Sequence, residues 1–325
     1  RYTEYIPVEE YSVGPMPGRQ AMPEVRATDS VYLMSYFKAS AQHLFYAYSR
    51  DGKTWTDING SRPVFNAYDD EVWLRDPYLH RVTHNGKTKF HLIHTWGWDH
   101  PALFHWESDD LIHWTAANGG TRTDDGKIML MDGHDGGPVS PNAWAPEFTY
   151  DGQTGTFYLY WSSRIGDRQV HHYCTTKDWL TFSTPAVYFD PGFTAIDMTI
   201  LKEGDTYYAY YKDERNGEKT IRCATSKSLD PRVQRFEGST PLLPSRYIEV
   251  EGPEVFPAIG GKGWFLYFDK FNGDRGVSYT GCTDPSQHKW YPIPDDEIRN
   301  PTEVKHGSVE IISTAELEKL LEHFK

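Results

Sequence analysis

Short stretches in which aromatic and branched residues alternate with polar ones recur along most of the chain. Most of them follow a turn that contains glycine, which is typical of hairpin strands and not of helices. One phrase repeats five times: an aromatic strand, then Ser or Thr with a nearby Asp or Lys, then Trp or Phe. The copies are LFYAYSRDGKTW (44–55), LFHWESDDLIHW (103–114), HHYCTTKDWLTF (171–182), IRCATSKSLDPRVQRF (221–236) and VSYTGCTDPSQHKW (277–290).

Two further strand-like segments accompany the repeat. One precedes every copy, at 31–38, 89–96, 156–163, 206–213 and 264–271. The other precedes four of the five, at 75–82, 144–151, 195–202 and 251–258. The first copy lacks this segment, but a spare one, HGSVEIIS, lies at 306–313 beyond the last copy. If the spare segment pairs with the first copy, it supplies the missing innermost strand and closes a ring.

Five repeated units of this kind predict an all-β fold, a five-bladed β-propeller whose ring is closed by a C-terminal strand. We expect one domain over 1–325, with the propeller at 28–313 and a short C-terminal helix at 314–325. The pattern of TAELEKLLEHF is amphipathic and follows a Ser or Thr cap. A β-sandwich with accidental internal similarity is the alternative.

Composition and charge limit the classes of partner that we expect for this chain. The 325 residues carry a net charge of −13, which argues against nucleic-acid binding. No apolar run is long enough to predict a membrane span. The three widely spaced cysteines indicate neither a disulfide framework nor a metal site. The sequence does not predict the oligomeric state.

The starts of the predicted innermost strands all carry polar groups. Because these strands run along the axis of a propeller, we expect their starts to meet at one mouth, with carboxylates that share one register of the repeat. The groups are Asp76, Trp144 with Glu147, Asp197, Glu251 with Glu254, and His306.

Clustered carboxylates push one another's pKa values apart, which provides the protonated acid and the ionised base that glycoside cleavage needs. Converging carboxylates are also typical of calcium sites, so acidity alone leaves both alternatives open. Indole rings stack well on sugar rings, and Trp96, Trp98 and Trp144 depart from the repeat. We therefore expect these three to bind substrate, whereas Trp55, Trp114 and Trp290 recur in the repeat and are expected to pack between blades.

The motifs RDP (75–77), NAWAPEF (142–148), AIDMT (195–199) and EGPEVF (251–256) resemble, in this order, those of glycoside hydrolase family 43. The resemblance covers about residues 28 to 313 and implies a five-bladed propeller that acts with inversion. It implies that Asp76 is the general base, that Asp197 orients the proton donor and tunes its pKa, and that Glu251 is the general acid.

Other site residues are less directly defined. Glu254 aligns with Glu147 in the repeat, and we expect the pair to support the site or to bind substrate. Arg275, in GDRGVSYT, resembles the arginine that the family places on substrate hydroxyls. For His306 three roles stay open: an axial calcium or sodium ion, a substrate hydroxyl, or the core. No cofactor is expected to be required. The end of a central strand places Lys212 and Glu214 near the same mouth.

The resulting hypothesis is an exo-acting inverting hydrolase that removes a terminal furanosyl or pentosyl residue from an oligosaccharide or polysaccharide. The resemblance favours α-L-arabinofuranosidase, with β-D-galactofuranosidase, β-D-xylosidase or a non-catalytic carbohydrate-binding propeller as alternatives. We expect the insertions at 97–102 and 116–141 to wall the pocket. A secreted or periplasmic location is expected from the substrate, since polymeric glycans lie outside the cell, and not from a signal sequence.

Overall fold

The computed structural model of the chain describes residues 21–65, 67–243, 249–271 and 276–325. Its strands form five antiparallel four-stranded sheets, and the innermost strands contact one another in a closed ring. The five-bladed propeller predicted from the repeats is confirmed. From the axis outwards, the first blade consists of β20 (Gly307–Ser313), β1 (Ser30–Lys38), β2 (Ala41–Ser49) and β3 (Thr56–Asp57), and the second of β4 (Arg75–His84), β5 (Lys87–Thr95), β6 (Ala102–Ser108) and β7 (Lys127–Met129). The third blade consists of β8 (Trp144–Asp151), β9 (Thr156–Ile165), β10 (Arg168–Thr176) and β11 (Ala186–Phe189), and the fourth of β12 (Ala195–Glu203), β13 (Thr206–Asp213), β14 (Ile221–Ser226) and β15 (Glu237–Pro241). The fifth blade consists of β16 (Val250–Pro257), β17 (Trp264–Lys270), β18 (Gly276–Cys282) and β19 (Tyr291–Pro292).

The C-terminal strand closes the ring, as predicted. β20 pairs antiparallel with β1 in unbroken register, from Ser30 opposite Ser313 to Tyr36 opposite Gly307. β20 also contacts β4 on one side and β16 on the other, which are the innermost strands of the neighbouring blades. This arrangement excludes the β-sandwich alternative.

The second strand of each blade is buried at most positions, because each blade packs against a neighbour on both faces. Successive side chains of a strand point to opposite faces. In β1, Val31 and Leu33 pack in the interface with the second blade, whereas Tyr32 and Met34 pack in the interface with the fifth. The described residues form five such apolar clusters, one for each interface between blades.

The repeated sequence forms a turn, and the tryptophan that follows this turn is buried in the core. Ser49 Oγ accepts a hydrogen bond from the Gly52 amide at 2.9 Å, and Asp51 Oδ1 accepts one from the Thr54 amide at 2.7 Å. Asp110 and Asp178 act in the same way in the next two copies. The tryptophans that the repeat marked as structural are all buried between blades: Trp55, Trp114 and Trp290.

One α-helix, α1 (Thr314–His323), follows the closing strand. Ser313 caps it: the Ser313 hydroxyl accepts from the Glu316 amide at 3.1 Å, and the Glu316 carboxylate accepts from the Ser313 amide at 2.8 Å. Leu317 and Leu320 of the helix are buried against the first and second blades. Within the described ranges, no helix combines the length and apolar character required to cross a bilayer.

Candidate active site

Four of the five innermost strands are interrupted by a β-bulge at the same level. In β4, for example, the pairs Arg75–Thr95 and Tyr78–Ile93 flank the bulge. The first residue of each bulge has a left-handed backbone, which is uncommon for residues other than glycine. A bulge bends its strand and changes the direction of a side chain. The residues with this conformation are Asp76 (φ 49°), Ala145 (φ 46°), Asp197 (φ 58°) and Gly252 (φ 57°).

The prediction that the three catalytic candidates share one register is wrong for Glu251. Asp76 and Asp197 are the left-handed residues of their bulges, but Glu251 lies one position earlier, at the register of Ile196. The cause is the glycine that follows. A Cβ on Gly252 would lie 2.6 Å from Cγ of His306, so this position cannot hold a side chain. The fifth blade therefore presents its carboxylate from the preceding residue.

Despite this shift, Asp76, Asp197 and Glu251 line a single pocket at one mouth of the axis. His306 lines the same pocket, where β20 begins. The three acids come from three different blades, so only the closed ring brings them together. The other charged residues of the pocket wall are Arg75, Glu214, Asp269 and Lys305.

Asp76 is held as a carboxylate. Its Oδ2 accepts a hydrogen bond from Thr95 Oγ1 at 2.8 Å, and its Oδ1 lies 3.3 Å from Nδ1 of His306. Burial acts to raise the pKa of Asp76, but the hydrogen bond and charge of His306, with the charge of Arg75, bring it below its usual value. In turn, burial lowers the pKa of His306, yet Asp76 and Asp197 outweigh burial and raise it to about 9.

Asp197 has the opposite electrostatic setting. Its Oδ2 accepts a hydrogen bond from the amide of Gly252 at 3.0 Å, which ties it to the residue beside Glu251. Burial raises the pKa of Asp197 to about 7, and the negative charges of Glu251 and Asp76 contribute to the rise. Asp197 can therefore hold a proton near neutral pH, whereas Asp76 in the same pocket cannot.

Glu251 is fixed by a buried lysine. Lys212 Nζ lies 3.0 Å from Oε2 of Glu251 and 2.6 Å from Oε1 of Glu214. Only 2% of the Lys212 side chain is exposed, whereas 31% of the Glu251 side chain is. The same ammonium group lies 4.0 Å from the ring centre of Phe271. Glu251 is therefore oriented by a rigid partner while its carboxyl group stays open to the pocket.

Two of the three predicted substrate tryptophans line the pocket. The Trp144 indole donates a hydrogen bond to the Trp98 carbonyl at 2.8 Å, and the two rings meet edge to face. Trp98 is 52% exposed, and Arg75 packs on its ring at 4.4 Å. Trp96 does not line the pocket. Its ring instead stacks on His100 at 3.8 Å, so the prediction that Trp96 contacts substrate is not supported.

Residues 29–318 match the model of a family related to glycoside hydrolase family 43, which is described as a "probable glycosyl hydrolase domain". The chain belongs to this family. The match covers the whole propeller and part of the C-terminal helix. The resemblance inferred from the motifs of the innermost strands is confirmed.

A relative of this family 43-related chain is an α-L-arabinofuranosidase of Bifidobacterium longum subsp. longum, 27% identical over 249 residues. The aligned part covers 62% of this chain and 22% of the relative, so the chain spans about a fifth of that protein.

Two solved structures share the fold. A family 43 arabinoxylan arabinofuranohydrolase from Bacillus subtilis, in complex with cellotetraose, has a TM-score of 0.57 at 16% identity, over 90% of this chain and 72% of that one. A family 43 β-1,3-galactosidase has a TM-score of 0.58 at 12% identity, over 93% and 61%.

In this family 43-related propeller, Glu147 and Glu254 occupy equivalent registers, as the repeat predicted. Both are buried, at 3% and 1% exposure, and neither lines the pocket. Glu254 Oε1 accepts a hydrogen bond from the Val309 amide of the closing strand at 3.0 Å. Of the two roles predicted, the structure therefore favours support over substrate contact.

Several pocket residues were not identified as site residues from sequence. Arg75 adjoins the catalytic motif in RDP, and that adjacency was the available signal. Asp269 and Lys305 form an ion pair of 3.4 Å in the pocket wall, but neither stands in a distinctive motif. Arg275, predicted to bind substrate hydroxyls, lies outside the described residues.

The insertions contribute unequally to the pocket. Gly97 and Trp98, from the insertion at 97–102, line it. The insertion at 116–141 does not line this pocket and borders a separate cavity beside Trp179. His306 Nδ1 lies 3.3 Å from Asp76 Oδ1, and its binding of an axial calcium or sodium ion or of a substrate hydroxyl stays a prediction.

Proposed function

We propose that this chain is an exo-acting, inverting glycoside hydrolase that removes terminal α-L-arabinofuranosyl residues from an oligosaccharide or polysaccharide. One observation carries the proposal. A single pocket holds a carboxylate kept ionised, Asp76, a second carboxyl group on another blade, Glu251, and an aspartate with a raised pKa, Asp197. A propeller that only binds carbohydrate does not need acids with opposite protonation preferences in one pocket.

The geometry supports a single displacement. Asp76, the base, takes a proton from a water molecule as that water attacks the anomeric carbon. Glu251, the acid, gives a proton to the departing glycosidic oxygen. Asp197 lies between them in the blade order and is tied to the amide after Glu251, which suits it to orient the acid. Thr95 and His306 hold the Asp76 carboxylate in place.

Exo cleavage is supported by the filled axis. Beyond the acids, the axis contains the buried side chains of Glu147 and Glu254, with Thr199 Oγ1 3.5 Å from Glu254 Oε2. The pocket is thus blind, and a blind pocket favours the end of a sugar chain over its middle. Trp98 and Trp144 at its rim offer indole faces to the sugar.

The choice of sugar rests on the family and on its relatives. The curated relative is named an α-L-arabinofuranosidase, and the structural relative from Bacillus subtilis is named an arabinofuranohydrolase. The neighbour named a β-1,3-galactosidase makes galactosides a necessary comparison in any assay.

The test is hydrolysis of p-nitrophenyl α-L-arabinofuranoside, β-D-galactofuranoside, β-D-xylopyranoside and β-D-galactopyranoside, together with an arabino-oligosaccharide. We expect the wild type to release p-nitrophenol from the arabinofuranoside, and proton NMR to show that the first sugar released has the inverted anomeric configuration. Asp76→Asn removes the base and should abolish hydrolysis of every substrate.

Glu251→Gln provides the matched comparison. It should lose more activity on the arabino-oligosaccharide than on the aryl glycoside, because p-nitrophenolate departs with little protonation. No hydrolysis of any substrate by the wild type, or a product of retained configuration, would contradict the proposal. If the wild type prefers another glycoside of the panel, the proposed sugar is wrong, but the proposed reaction class still holds.

A further inference from the structure

Three potential metal ligands lie together on one face of the second blade, away from the pocket. His91 of β5 pairs directly with Glu107 of β6, and His105 lies two residues from Glu107 on the same strand. Because side chains alternate along a strand, all three project from one face. Ile93 and Leu103, which share that face, pack in the interface with the third blade.

The distances suit a shared ion. His91 Nδ1 lies 3.0 Å from His105 Nε2 and 3.9 Å from Glu107 Oε1, and one donor atom from each residue lies within 4.8 Å of the others. Two ligands of a tetrahedral zinc ion, each about 2.1 Å from it, are roughly 3.4 Å apart. Small side-chain rotations would therefore bring all three atoms into coordination.

The acid of this cluster has few partners within the protein. Only 17% of the Glu107 side chain is exposed. Within residues 21–65, 67–243, 249–271 and 276–325, its carboxylate accepts no hydrogen bond, and Lys89 Nζ lies 4.0 Å away. A cation would compensate the charge of this partly buried carboxylate.

The histidines are also prepared to act as ligands. Both imidazoles are buried, with 4% of His91 and 2% of His105 exposed. His91 Nδ1 and His105 Nε2 share a hydrogen bond of 3.0 Å, so to bind an ion the donor of this pair must carry its proton on its other ring nitrogen. His105 borders a cavity next to Trp179, whereas His91 and Glu107 do not line it. The Trp179 ring stacks flat on His105 at 3.7 Å and leaves the edge of the imidazole ring clear.

We propose that His91, His105 and Glu107 bind one divalent transition-metal ion, Zn²⁺ or an ion of similar preference. Two imidazoles and one carboxylate form a donor set that zinc uses in proteins. The site is independent of the proposed hydrolase reaction, because none of its ligands lines the axial pocket. All three ligands belong to one hairpin, so the ion would stabilise the second blade.

The test is titration of the untagged, chelator-treated chain with ZnCl₂ in a calorimeter, with CaCl₂ as the comparison ion. CoCl₂ provides a second readout, because Co²⁺ bound by nitrogen and oxygen donors of tetrahedral geometry absorbs strongly in the visible range. We expect one Zn²⁺ per chain, a visible Co²⁺ spectrum, and a higher Tm with Zn²⁺. Ca²⁺, which prefers oxygen ligands, should produce none of these at this site.

Glu107→Gln is the principal variant because it preserves shape and removes only the charge. It should weaken Zn²⁺ binding by about 10-fold or more, since even an outer partner of a metal site contributes that much. His91→Gln should do the same. His113→Gln is the matched control: His113 is exposed and lies 2.7 Å from a carboxylate oxygen of Asp110, so it tests adventitious surface binding.

Three results would overturn the proposal: no stoichiometric Zn²⁺ uptake by the wild type, uptake undiminished in both Glu107→Gln and His91→Gln, or an equal loss in His113→Gln. Circular dichroism of each variant establishes that the propeller is intact. Because Glu107 is partly exposed, Glu107→Gln should fold even if a histidine variant does not.

Discussion

Asp76 and Asp197 are the same residue type in the same bulge conformation, yet their surroundings give them opposite protonation preferences. Asp76 has His306 and Arg75 nearby, and these cations outweigh the burial that would raise its pKa. Burial raises the pKa of Asp197 to about 7; the charges of His306 and Lys212 oppose this rise, but those of the carboxylates Glu251 and Asp76 add to it. Function at this level is decided by what the adjacent blades place beside each acid.

Removal of His306 should change how stability depends on pH. The folded-state pKa of His306 is about 9, above the ordinary value of 6.5. Its stabilising contribution is therefore complete below about pH 6.5 and is lost as the pH rises through about 9. A shift of this size corresponds to on the order of 3 kcal/mol. We expect His306→Gln to be less stable than the wild type at pH 6, with the difference shrinking toward pH 10, as measured by urea unfolding. An equal difference at both pH values would contradict this.

Lys212 should act on catalysis by positioning Glu251. Lys212→Met removes the ammonium group 3.0 Å from the Glu251 carboxylate and leaves Glu214 without the closer of its two lysine partners. We expect kcat on the oligosaccharide to fall by roughly 10-fold or more, with KM little changed, because the interaction orients a reacting group. Lys212→Arg keeps the charge and should recover part of the loss. A rise in KM alone would indicate substrate binding instead.

At the scale of the strand, the backbone of the bulge in β16 favours glycine, and the contact with His306 requires it. Gly252 has a φ of 57°, and a Cβ there would lie 2.6 Å from the ring of His306. Gly204, in the turn between β12 and β13, has a φ of 60°, but a Cβ at this position would point into open space, with no packed atom within 4 Å. The two glycines share the backbone requirement and differ in the steric one.

This difference makes a paired prediction. Gly204→Ala should cost about 1 kcal/mol of unfolding free energy, from the backbone conformation alone. Gly252→Ala should cost roughly 3 kcal/mol or more, because the displacement of a packed side chain adds to it. It should also reduce activity by moving His306 away from Asp76. Denaturant unfolding and the arabinofuranoside assay measure both effects, and similar losses in the two variants would contradict the steric argument.

The strands themselves were predictable from sequence, but the bulges were not. Burial on both faces makes β1 and β17 continuous apolar runs, and the turn motif at Ser49 repeats clearly. A two-residue bulge leaves no comparable pattern, so the one-residue offset of Glu251 from Asp197 could not be seen. Trp96 and Trp98 are two residues apart, and only the course of the chain after β5 places one in the pocket and the other outside it.

For the whole molecule, the closing strand should be indispensable while the helix is not. A chain that ends after His306 lacks β20, which leaves the inner edge of β1 unpaired and exposes the apolar faces of two neighbouring blades. We expect this variant to lose cooperative unfolding and to aggregate. A chain that ends after Ser313 keeps β20 and loses the buried Leu317 and Leu320, so it should fold with a lower Tm. Cooperative unfolding of the shorter chain near the wild-type Tm would contradict the role given to closure.

Ring closure also sets an order in time. During synthesis the residues of β20 emerge after those of the other nineteen described strands, and β20 must pair with β1, the earliest of them. His306, beside this strand, is the last of the pocket's polar side chains to emerge. A nascent chain can therefore complete four blades while Asp76 still lacks its imidazole partner. The pocket is therefore complete only once β20 has been made, so a ribosome that stalls before that point releases a protein with an open ring and without the contact between His306 and Asp76.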